Sequence, residues 1–246
     1  SLVRGLSGRV AGRLIEPVER PKTILVDFSA PNVAKSMHVG HIRSTVLGDC
    51  LQRAARYVGH RVISDNHLGD WGTQFGKLIV GLRRFGSGDR LASDPIGEME
   101  RLYKTAHEAS QADPEVQEAA RLELKRLQDG DPENLAIWRR FRELSQSAFD
   151  GIYRRLGVHF DETLGESFYN PMLRGVVEDL VAKGVARESE GAICVFFEEG
   201  ALKDKPFLIR KSDGAALYST TDLATVKHRV ETFHPDEIWY VVDMRQ

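Results

Sequence analysis

Residues 23–41 of the chain read TILVDFSAPNVAKSMHVGH, and this stretch decides the fold. Its first part, residues 23–28, is a short apolar run rich in β-branched side chains. Pro21 stands before the run and the turn-forming residues 29–32 follow it, so the pattern predicts a buried strand.

The second part of the stretch opens a helix. Apolar residues recur at helical spacing from Val39 to Val58, and Gly59 follows as a helix-ending residue. Residues 61–64 predict a second strand, so strand, loop, helix and strand follow one another as in an open α/β sheet. We expect the helix to bury one apolar stripe, which comprises Val39, Ile42, Val46, Cys50, Ala54 and Val58.

Beyond the second strand the pattern becomes mainly helical. A glycine-rich stretch, residues 67–76, leads into a helix, and residues 86–95 have the composition of a linker. Residues 96–156 are charged and helical, with two interruptions at which an aspartate, Asp113 or Asp131, precedes a proline. Aspartate caps and a proline in the first turn are typical of helix starts.

The last third of the chain changes to the spacing of strands. After an irregular stretch and one more amphipathic helix, short strands and a helix follow to the end. The predicted elements are a helix over 171–183, strands over 192–197, 207–210 and 216–218, a helix over 221–230 and a strand over 237–242.

These patterns predict an α/β protein with a Rossmann-like parallel nucleotide-binding sheet and a mainly helical insertion. The sheet resumes near residue 206 and then stops after one more strand, so we expect it to be truncated. The expected segments are a linker or domain remnant (1–20), the first half of the sheet domain (21–86), the helical and β insertion (87–205) and the start of the second half (206–246).

Composition narrows the function classes. Of the 246 residues, 41% are hydrophobic and 28% charged, the mix of an ordinary globular protein. A net charge of -2 neither demands nor excludes nucleic acid. Two isolated cysteines, Cys50 and Cys194, form no disulfide framework and no zinc motif, and no apolar run is long enough to span a membrane. We expect a reduced, cytoplasmic protein.

The sharpest local feature is His38-Val39-Gly40-His41, which lies between the strand and the first helical turn. Free backbone N–H groups and the helix dipole favour an anion there, and two imidazoles add donors for phosphate oxygens. Gly40 removes a side chain where a purine ring would approach the backbone. Half of a metal site and a chance surface pair are the alternatives.

Five segments together resemble a known family. Residues 38–41 match the His-x-Gly-His signature of class I aminoacyl-tRNA synthetases and related nucleotidylyltransferases. The longer segments look like the arginyl-tRNA synthetases in particular, in kind and in order. They are VDFSAPNVAK (26–35), HVGHIRST (38–45), HLGDWGTQFG (67–76), YSTTDLA (218–224) and YVVDMRQ (240–246).

The resemblance implies a two-step reaction. The arginine carboxylate attacks the α-phosphate of ATP, which gives arginyl-adenylate and pyrophosphate, and the terminal adenosine of tRNA-Arg then accepts the arginyl group. Such chemistry rests on positioning and charge stabilisation, with magnesium accompanying ATP and no metal held by the protein itself. L-arginine, ATP and tRNA-Arg are the expected partners of a monomer, with no membrane partner.

The resemblance also assigns the phosphate end of the site. His38 and His41 would hold the ATP phosphates, with Gly40 under the adenine. Lys35 would support the phosphates in place of the family's later lysine motif. The alternative for Lys35 is an ordinary solvated lysine.

Selection of arginine needs a carboxylate, because a guanidinium pairs with it in a bidentate manner. By resemblance, Asp222 and Tyr218 contact the guanidinium. Asp222 could instead cap the last helix, and Tyr218 could be a core residue. The remaining expected arginine-binding residues are Asp27, Ser29, Asn32, His41 and Gln246, and Asp27 could equally be a satisfied strand-end carboxylate.

Two further sets of residues are left open. His67, Asp70, Trp71 and Gln74 would line or pack the wall of the active site. The charged helices are solvated faces in the simplest interpretation, and the alternative is that Arg139, Arg140 and Arg142 touch the tRNA acceptor end.

The family's lysine-rich second signature and its tRNA-binding domains are not in the sequence, so we expect a fragment that cannot complete adenylation alone. Two other hypotheses remain: a small nucleotidylyltransferase with the same signature, and a non-catalytic module that binds arginine or RNA.

Overall fold

The computed structural model describes residues 15–200, 203 and 205–243. The chain divides into two compact units. The second unit is Leu164–Pro235, and the first unit consists of the described residues on either side of it. The four segments expected from the sequence have boundaries that differ from those of the two units, and they stay a prediction.

The first unit contains a sheet and six helices among its described residues. Their bounds are β1 (Thr23–Asp27), α1 (Val39–Tyr57), β2 (Arg61–Asp65), α2 (Gln74–Phe85), α3 (Gly88–Ser93), α4 (Pro95–Ala112), α5 (Pro114–Gln128), α6 (Pro132–Leu156) and β6 (Glu237–Tyr240). The predicted linker over 86–95 therefore contains a short helix, α3.

The sheet of the first unit has the order β2-β1-β6, and both pairs are parallel. Its register aligns Asp27 at the end of β1 with Asp65 of β2 and Tyr240 of β6. The prediction of an α/β fold with a parallel sheet is confirmed. In such sheets the loops that follow the carboxyl ends of the strands hold the ligand.

The two aspartate caps predicted within the helical stretch are confirmed. Asp113 accepts a hydrogen bond from the Glu115 backbone N–H, and Asp131 accepts from those of Glu133 and Asn134. Asp94 caps α4 in the same way, which the sequence analysis missed. Each cap satisfies N–H groups that a helix start leaves without a partner.

The predicted buried stripe of α1 is wrong. Val39 is 83% exposed, and Val46, Cys50 and Ala54 are exposed as well. The helix instead buries its small and polar side, which comprises Thr45, Gly48, Asp49, Gln52 and Ala55. The physical reason is close approach: Gly48 lies directly against the Phe28 ring, where a larger side chain would not fit.

Two larger hydrophobic clusters form most of the core of the first unit, beside a small third one between α2 and α5. One joins the sheet to α6 through residues such as Phe28, Phe149 and Tyr153. The other fills the space among the helices and includes Val33 and Ala34 from the loop after β1. The loop between strand and signature helix is therefore part of the helical core.

The second unit contains helices and a small sheet. Its bounds are α7 (Glu166–Tyr169), a 3-10 turn (Asn170–Met172), α8 (Leu173–Ala182), β3 (Ala186–Ser189), β4 (Ala192–Val195), β5 (Phe207–Arg210) and α9 (Tyr218–Phe233). The strands pair antiparallel in the order β3-β4-β5.

Two differences from the sequence analysis fall in the second unit. Strand β3 was missed, because its residues Ala186–Ser189 are short and mixed in polarity. The strand predicted over 216–218 is wrong: Ala216 forms one isolated bridge with Arg210, and Tyr218 begins α9. The Ser219 hydroxyl donates to the Leu208 carbonyl, which fixes this helix start beside β5.

Within the part of the chain that the structure describes, no helix is both long enough and apolar enough to cross a membrane.

Candidate functional site

Residues 29–36, here called the signature loop, leave the end of β1 with an unusual backbone. Ser29, Ala30 and Ala34 have φ values of 77°, 47° and 64°. Residues other than glycine seldom adopt this left-handed region, and such conformations persist only where surrounding contacts impose them. The loop is therefore a segment held in place by its neighbours.

Hydrogen bonds from distant elements hold the signature loop. The Ala34 N–H donates to the buried Ser145 hydroxyl of α6 at 2.9 Å, and the Ser36 N–H donates to Glu100 of α4 at 2.7 Å. The bond from Ser36 is the largest influence on the pKa of Glu100, which lies below its ordinary range. Ala34 and Ser36 of the loop are thus each hydrogen-bonded to a helix.

The glycine-rich stretch over residues 67–76, the second motif, lies beside the signature loop. Val33 N–H donates to the Gly69 carbonyl at 3.0 Å, and Gly69 N–H donates to the Pro31 carbonyl at 3.1 Å. A side chain at Gly69 would collide with the Asn32 amide oxygen. Gly69 is therefore required for Asn32 to occupy its position, and the structure brings the two predicted motifs together.

The two histidines of the signature stack at the start of α1. Their ring centroids are 3.9 Å apart, with 33° between the planes. The His38 Nδ1 accepts from the Gly40 N–H at 3.1 Å, and the His41 Nδ1 accepts from the His38 N–H at 3.3 Å. Because both Nδ1 atoms accept, each neutral ring carries its proton on Nε2. The pair therefore offers two N–H donors.

Burial lowers the pKa of His41 below 6.5, and the nearby basic groups of His38 and Lys35 lower it further. His41 is consequently neutral at neutral pH, whereas an arriving phosphate would favour its charged form. The Lys35 Nζ lies 5.9 Å from the centre of the Tyr103 ring. Three basic groups, Lys35, His38 and His41, thus lie at the start of α1.

Gly40 has a local reason to lack a side chain. A Cβ at this position would lie 2.9 Å from the His38 Cε1 atom and 3.0 Å from its Nδ1. Real Cβ contacts are essentially never closer than 3.0 Å, so the ring of His38 would have to shift. The predicted place of Gly40 under adenine stays a prediction.

Ser29 is buried, and its hydroxyl lies 2.8 Å from both the Tyr153 and the Thr45 hydroxyls. Its N–H donates to the Ser44 hydroxyl. Its predicted contact with arginine is not tested by these bonds. Asp27 is also buried, at the end of β1 beside Asp65. Asn32 is partly buried at the loop surface.

The residues of the second motif pack the wall of this region. The Trp138 indole donates to the Asp70 carbonyl at 2.7 Å, and Trp71 meets Trp138 edge to face. The Arg142 Nε lies 3.2 Å from the buried Asp70 carboxylate. Arg142 thus already has an acidic partner. The neighbouring Arg139 and Arg140 are exposed on α6.

In the second unit, Tyr218 and Asp222 stand one helical turn apart on the same side of α9. Tyr218 is 65% exposed, so the alternative that it is a core residue is wrong. Leu217 is the N-cap of α9, and Asp222 lies in the second turn. The alternative that Asp222 caps the helix is therefore also wrong.

Gln246 lies outside the described residues. The segment before it approaches α1: the Ser44 hydroxyl donates to the Val241 carbonyl at 2.6 Å, and Arg43 donates to Asp243 at 3.0 Å. The last predicted motif is thereby joined to the signature helix.

Sequence reasoning missed the buried polar residues that support the site, namely Thr45, Asn66, Ser145 and Tyr153. A usable signal was present in α1, where Thr45, Gly48, Gln52 and Ala55 recur at helical spacing. Apolar residues recur on the opposite face of the same helix, so hydrophobic spacing pointed away from this small and polar face. Among the described residues, no three His, Cys, Asp or Glu side chains are grouped to hold a metal ion.

Comparisons with known proteins agree with this geometry. Residues 10–246 match the family described as tRNA synthetases class I (R), catalytic domain. The arginine–tRNA ligase of Fusobacterium nucleatum is 46% identical over 231 residues, which cover 93% of this chain and 40% of that protein. The arginine–tRNA ligase of Thermobifida fusca is 46% identical over 241 residues, covering 95% and 42%.

Solved structures give the same result. The chain superposes on the crystal structure of arginyl-tRNA synthetase from Plasmodium falciparum with a TM-score of 0.74 at 31% identity, covering 93% of this chain and 38% of that one. The arginyl-tRNA synthetase of Thermus thermophilus shares the fold, with a TM-score of 0.66 at 24% identity. The chain spans about 40% of the length of the curated relatives it matches.

Proposed function

Because the chain belongs to the catalytic-domain family of the class I tRNA synthetases for arginine, we propose that it carries the arginine-activating part of an arginine–tRNA ligase. The reaction joins the arginine carboxylate to the α-phosphate of ATP and releases pyrophosphate. The arginyl group then passes to the 3′ end of tRNA-Arg.

The single observation that supports this proposal most is the histidine pair at the start of α1. Both rings present an Nε2 donor while they remain neutral, because their Nδ1 atoms accept backbone N–H groups. Donors fixed before the substrate arrives stabilise charge that develops on phosphate oxygens without reorganising. Lys35 adds a positive charge to the same place.

The residues present fit ATP with magnesium as a substrate, since the histidine pair and Lys35 supply donors and positive charge for the phosphates. His38, His41 and Lys35 are assigned to the phosphates and Gly40 to the adenine. Magnesium would neutralise phosphate charge when bound.

The resemblance assigns arginine-binding residues to both units. The second unit contributes Tyr218 and Asp222 toward the guanidinium, which a carboxylate pairs with in a bidentate manner. The other assigned residues are Asp27, Ser29, Asn32, His41 and Gln246. We further propose a monomer that works in the cytoplasm.

The proposal is tested by calorimetric titration of the chain with L-arginine and, in parallel, L-citrulline. Citrulline keeps the shape of arginine and lacks its charge, so a carboxylate meant for a guanidinium would lose its partner. We expect arginine to bind and citrulline to bind at least about a hundredfold more weakly, the scale of a hydrogen-bonding site that is left unpaired.

Asp222→Asn should abolish the preference for arginine. Glu231→Gln is the matched control, because Glu231 is a carboxylate of the same helix whose partner is Lys227. It should bind like the unchanged chain. Equal binding of arginine and citrulline, or an unchanged preference in Asp222→Asn, would remove the assignment of Asp222.

A further inference from the structure

Four polar side chains from four elements meet in the interior of the first unit. They are Ser29 after β1, Thr45 on α1, Asn66 after β2 and Tyr153 on α6, and all four are buried. Each hydroxyl lies within 2.8 Å of the next, and the Asn66 amide lies 3.1 Å from the Tyr153 oxygen. Buried polar groups of this kind need a complete set of partners.

Only one order puts a proton in each of the four contacts that join these side chains and the His41 carbonyl. The Thr45 hydroxyl lies 2.7 Å from the His41 carbonyl, which can only accept, so Thr45 donates its one proton there. The proton between Thr45 and Ser29 must then come from Ser29. Ser29 has then given its one proton to Thr45, so the proton between Ser29 and Tyr153 comes from Tyr153.

The far end of the cluster is fixed as well. The Asn66 amide oxygen accepts from the Ala30 N–H at 3.2 Å, so its NH₂ group faces Tyr153 and donates to it. Burial raises the pKa of Tyr153, which keeps its hydroxyl protonated and able to donate. A chain of donors therefore runs from Asn66 through Tyr153, Ser29 and Thr45 to the His41 carbonyl.

The long helix α6 contacts the signature loop at two points. Tyr153 reaches Ser29 at the start of the loop, and Ser145 reaches Ala34 near its end. The two residues are eight positions apart on α6, or about 12 Å along its axis, and face the same way. The three loop residues in the left-handed region, Ser29, Ala30 and Ala34, lie at or between these two points and need outside support.

We infer that Tyr153 is a positioning residue for the site: its hydroxyl sets the direction of the donor chain that fixes Ser29 and the first turn of α1. Of the four residues in this donor chain, only Tyr153 lies on α6. Without its hydroxyl, the Ser29 oxygen loses its donor. Thr45 is then free to donate to Ser29 instead of His41, so the order of the chain is lost.

The role of Tyr153 is tested first by amide hydrogen exchange on Tyr153→Phe, which keeps the ring that packs against Phe160. We expect the Ala30 amide, which donates to Asn66, to exchange about tenfold faster, the scale of one buried hydrogen bond. Tyr169→Phe is the matched control, because it removes a buried phenol oxygen from the second unit. It should leave the Ala30 amide unchanged.

A second readout separates positioning from simple destabilisation. NMR titration of the His41 ring should give a pKa closer to 6.5 in Tyr153→Phe, since a looser first turn admits water to an imidazole now held low by burial. The basic groups of His38 and Lys35 remain in both proteins. Thr45→Val should show the same shift in the His41 pKa. Thr45→Ser keeps the hydroxyl and should show little of that shift.

The outcomes are distinct. Faster Ala30 exchange together with the His41 shift supports the inference. A lower melting temperature for Tyr153→Phe with His41 and Ala30 unchanged would overturn it and leave Tyr153 as a packing residue. Both readouts need no ligand, so they decide the matter even if the arginine titration fails. Only the consequence for arginine and ATP binding rests on the proposed function.

Discussion

The signature loop of the first unit and the Tyr218–Asp222 turn of the second unit are both proposed to contribute arginine-binding residues, yet they are built in opposite ways. The loop has three residues in the left-handed region and is held by bonds to residues more than a hundred positions away in α6. The turn is regular helix, and both of its assigned side chains are exposed.

The difference shows where folding and binding are coupled. In the signature loop, the contacts that shape the site are the same contacts that stabilise the core, since Val33 and Ala34 belong to the hydrophobic cluster. A change there should therefore disturb both properties. In the turn, the assigned side chains project from a helix whose start is fixed by other residues, such as Ser219 and Thr220. A change there should disturb binding alone.

The largest expected effect comes from Gly48→Ala. Gly48 lies on the buried face of α1 against the ring of Phe28, the residue directly before the signature loop, and a Cβ would overlap that ring. Because backbone or ring must move, we expect a loss of about 2–3 kcal/mol in the free energy of unfolding. Urea denaturation measures this free energy, and the same substitution at a glycine of another helix provides the reference.

Gly151→Ala is that reference. Gly151 lies inside α6, where an added Cβ would meet only the Arg154 guanidinium, at 3.9 Å. Removing a glycine from an open helical position should stabilise the protein by about 0.5–1 kcal/mol. If both alanines had the same effect, close packing of α1 on Phe28 would not explain why its small face is buried.

The next effect in size is expected from Ser145→Ala. The change leaves the buried Ala34 N–H without its acceptor and should cost about 1–3 kcal/mol, the penalty for an unsatisfied buried donor. Ser147→Ala, at an exposed position of the same helix, should stay within about 0.5 kcal/mol. Equal stability of the two variants would show that the loop keeps its conformation without α6.

The same contrast explains what the sequence could predict. Strand β1, the parallel order with β2, and the starts of α5 and α6 follow from local signals: β-branched runs, and aspartate before proline. The signature at the start of α1 could be located as well. These features depend on residues close together in the chain, which a sequence pattern displays directly.

The remainder depends on contacts between distant residues. The buried face of α1 is small and polar because Phe28 and Tyr153 arrive from other elements, and hydrophobic spacing pointed to the opposite face. Likewise, the spacing of residues 216–218 suggests a strand, whereas hydroxyl bonds from Ser219 and Thr220 to β5 begin a helix. Tertiary hydrogen bonds outweigh a weak local preference in both places.

The smallest effect on stability should come from the turn itself. Tyr218→Phe and Asp222→Asn change exposed atoms of α9 and leave its N-cap at Leu217 untouched, so each should alter the free energy of unfolding by less than about 0.5 kcal/mol. Urea denaturation would be compared with Thr220→Ala in the same helix, which removes the buried hydroxyl that bonds the Ile209 carbonyl. That variant should lose about 1 kcal/mol or more. A loss in Asp222→Asn as large as in Thr220→Ala would show that the Asp222 carboxylate holds the second unit together. It would then no longer be a residue available to select a substrate, and the contrast between the two regions would disappear.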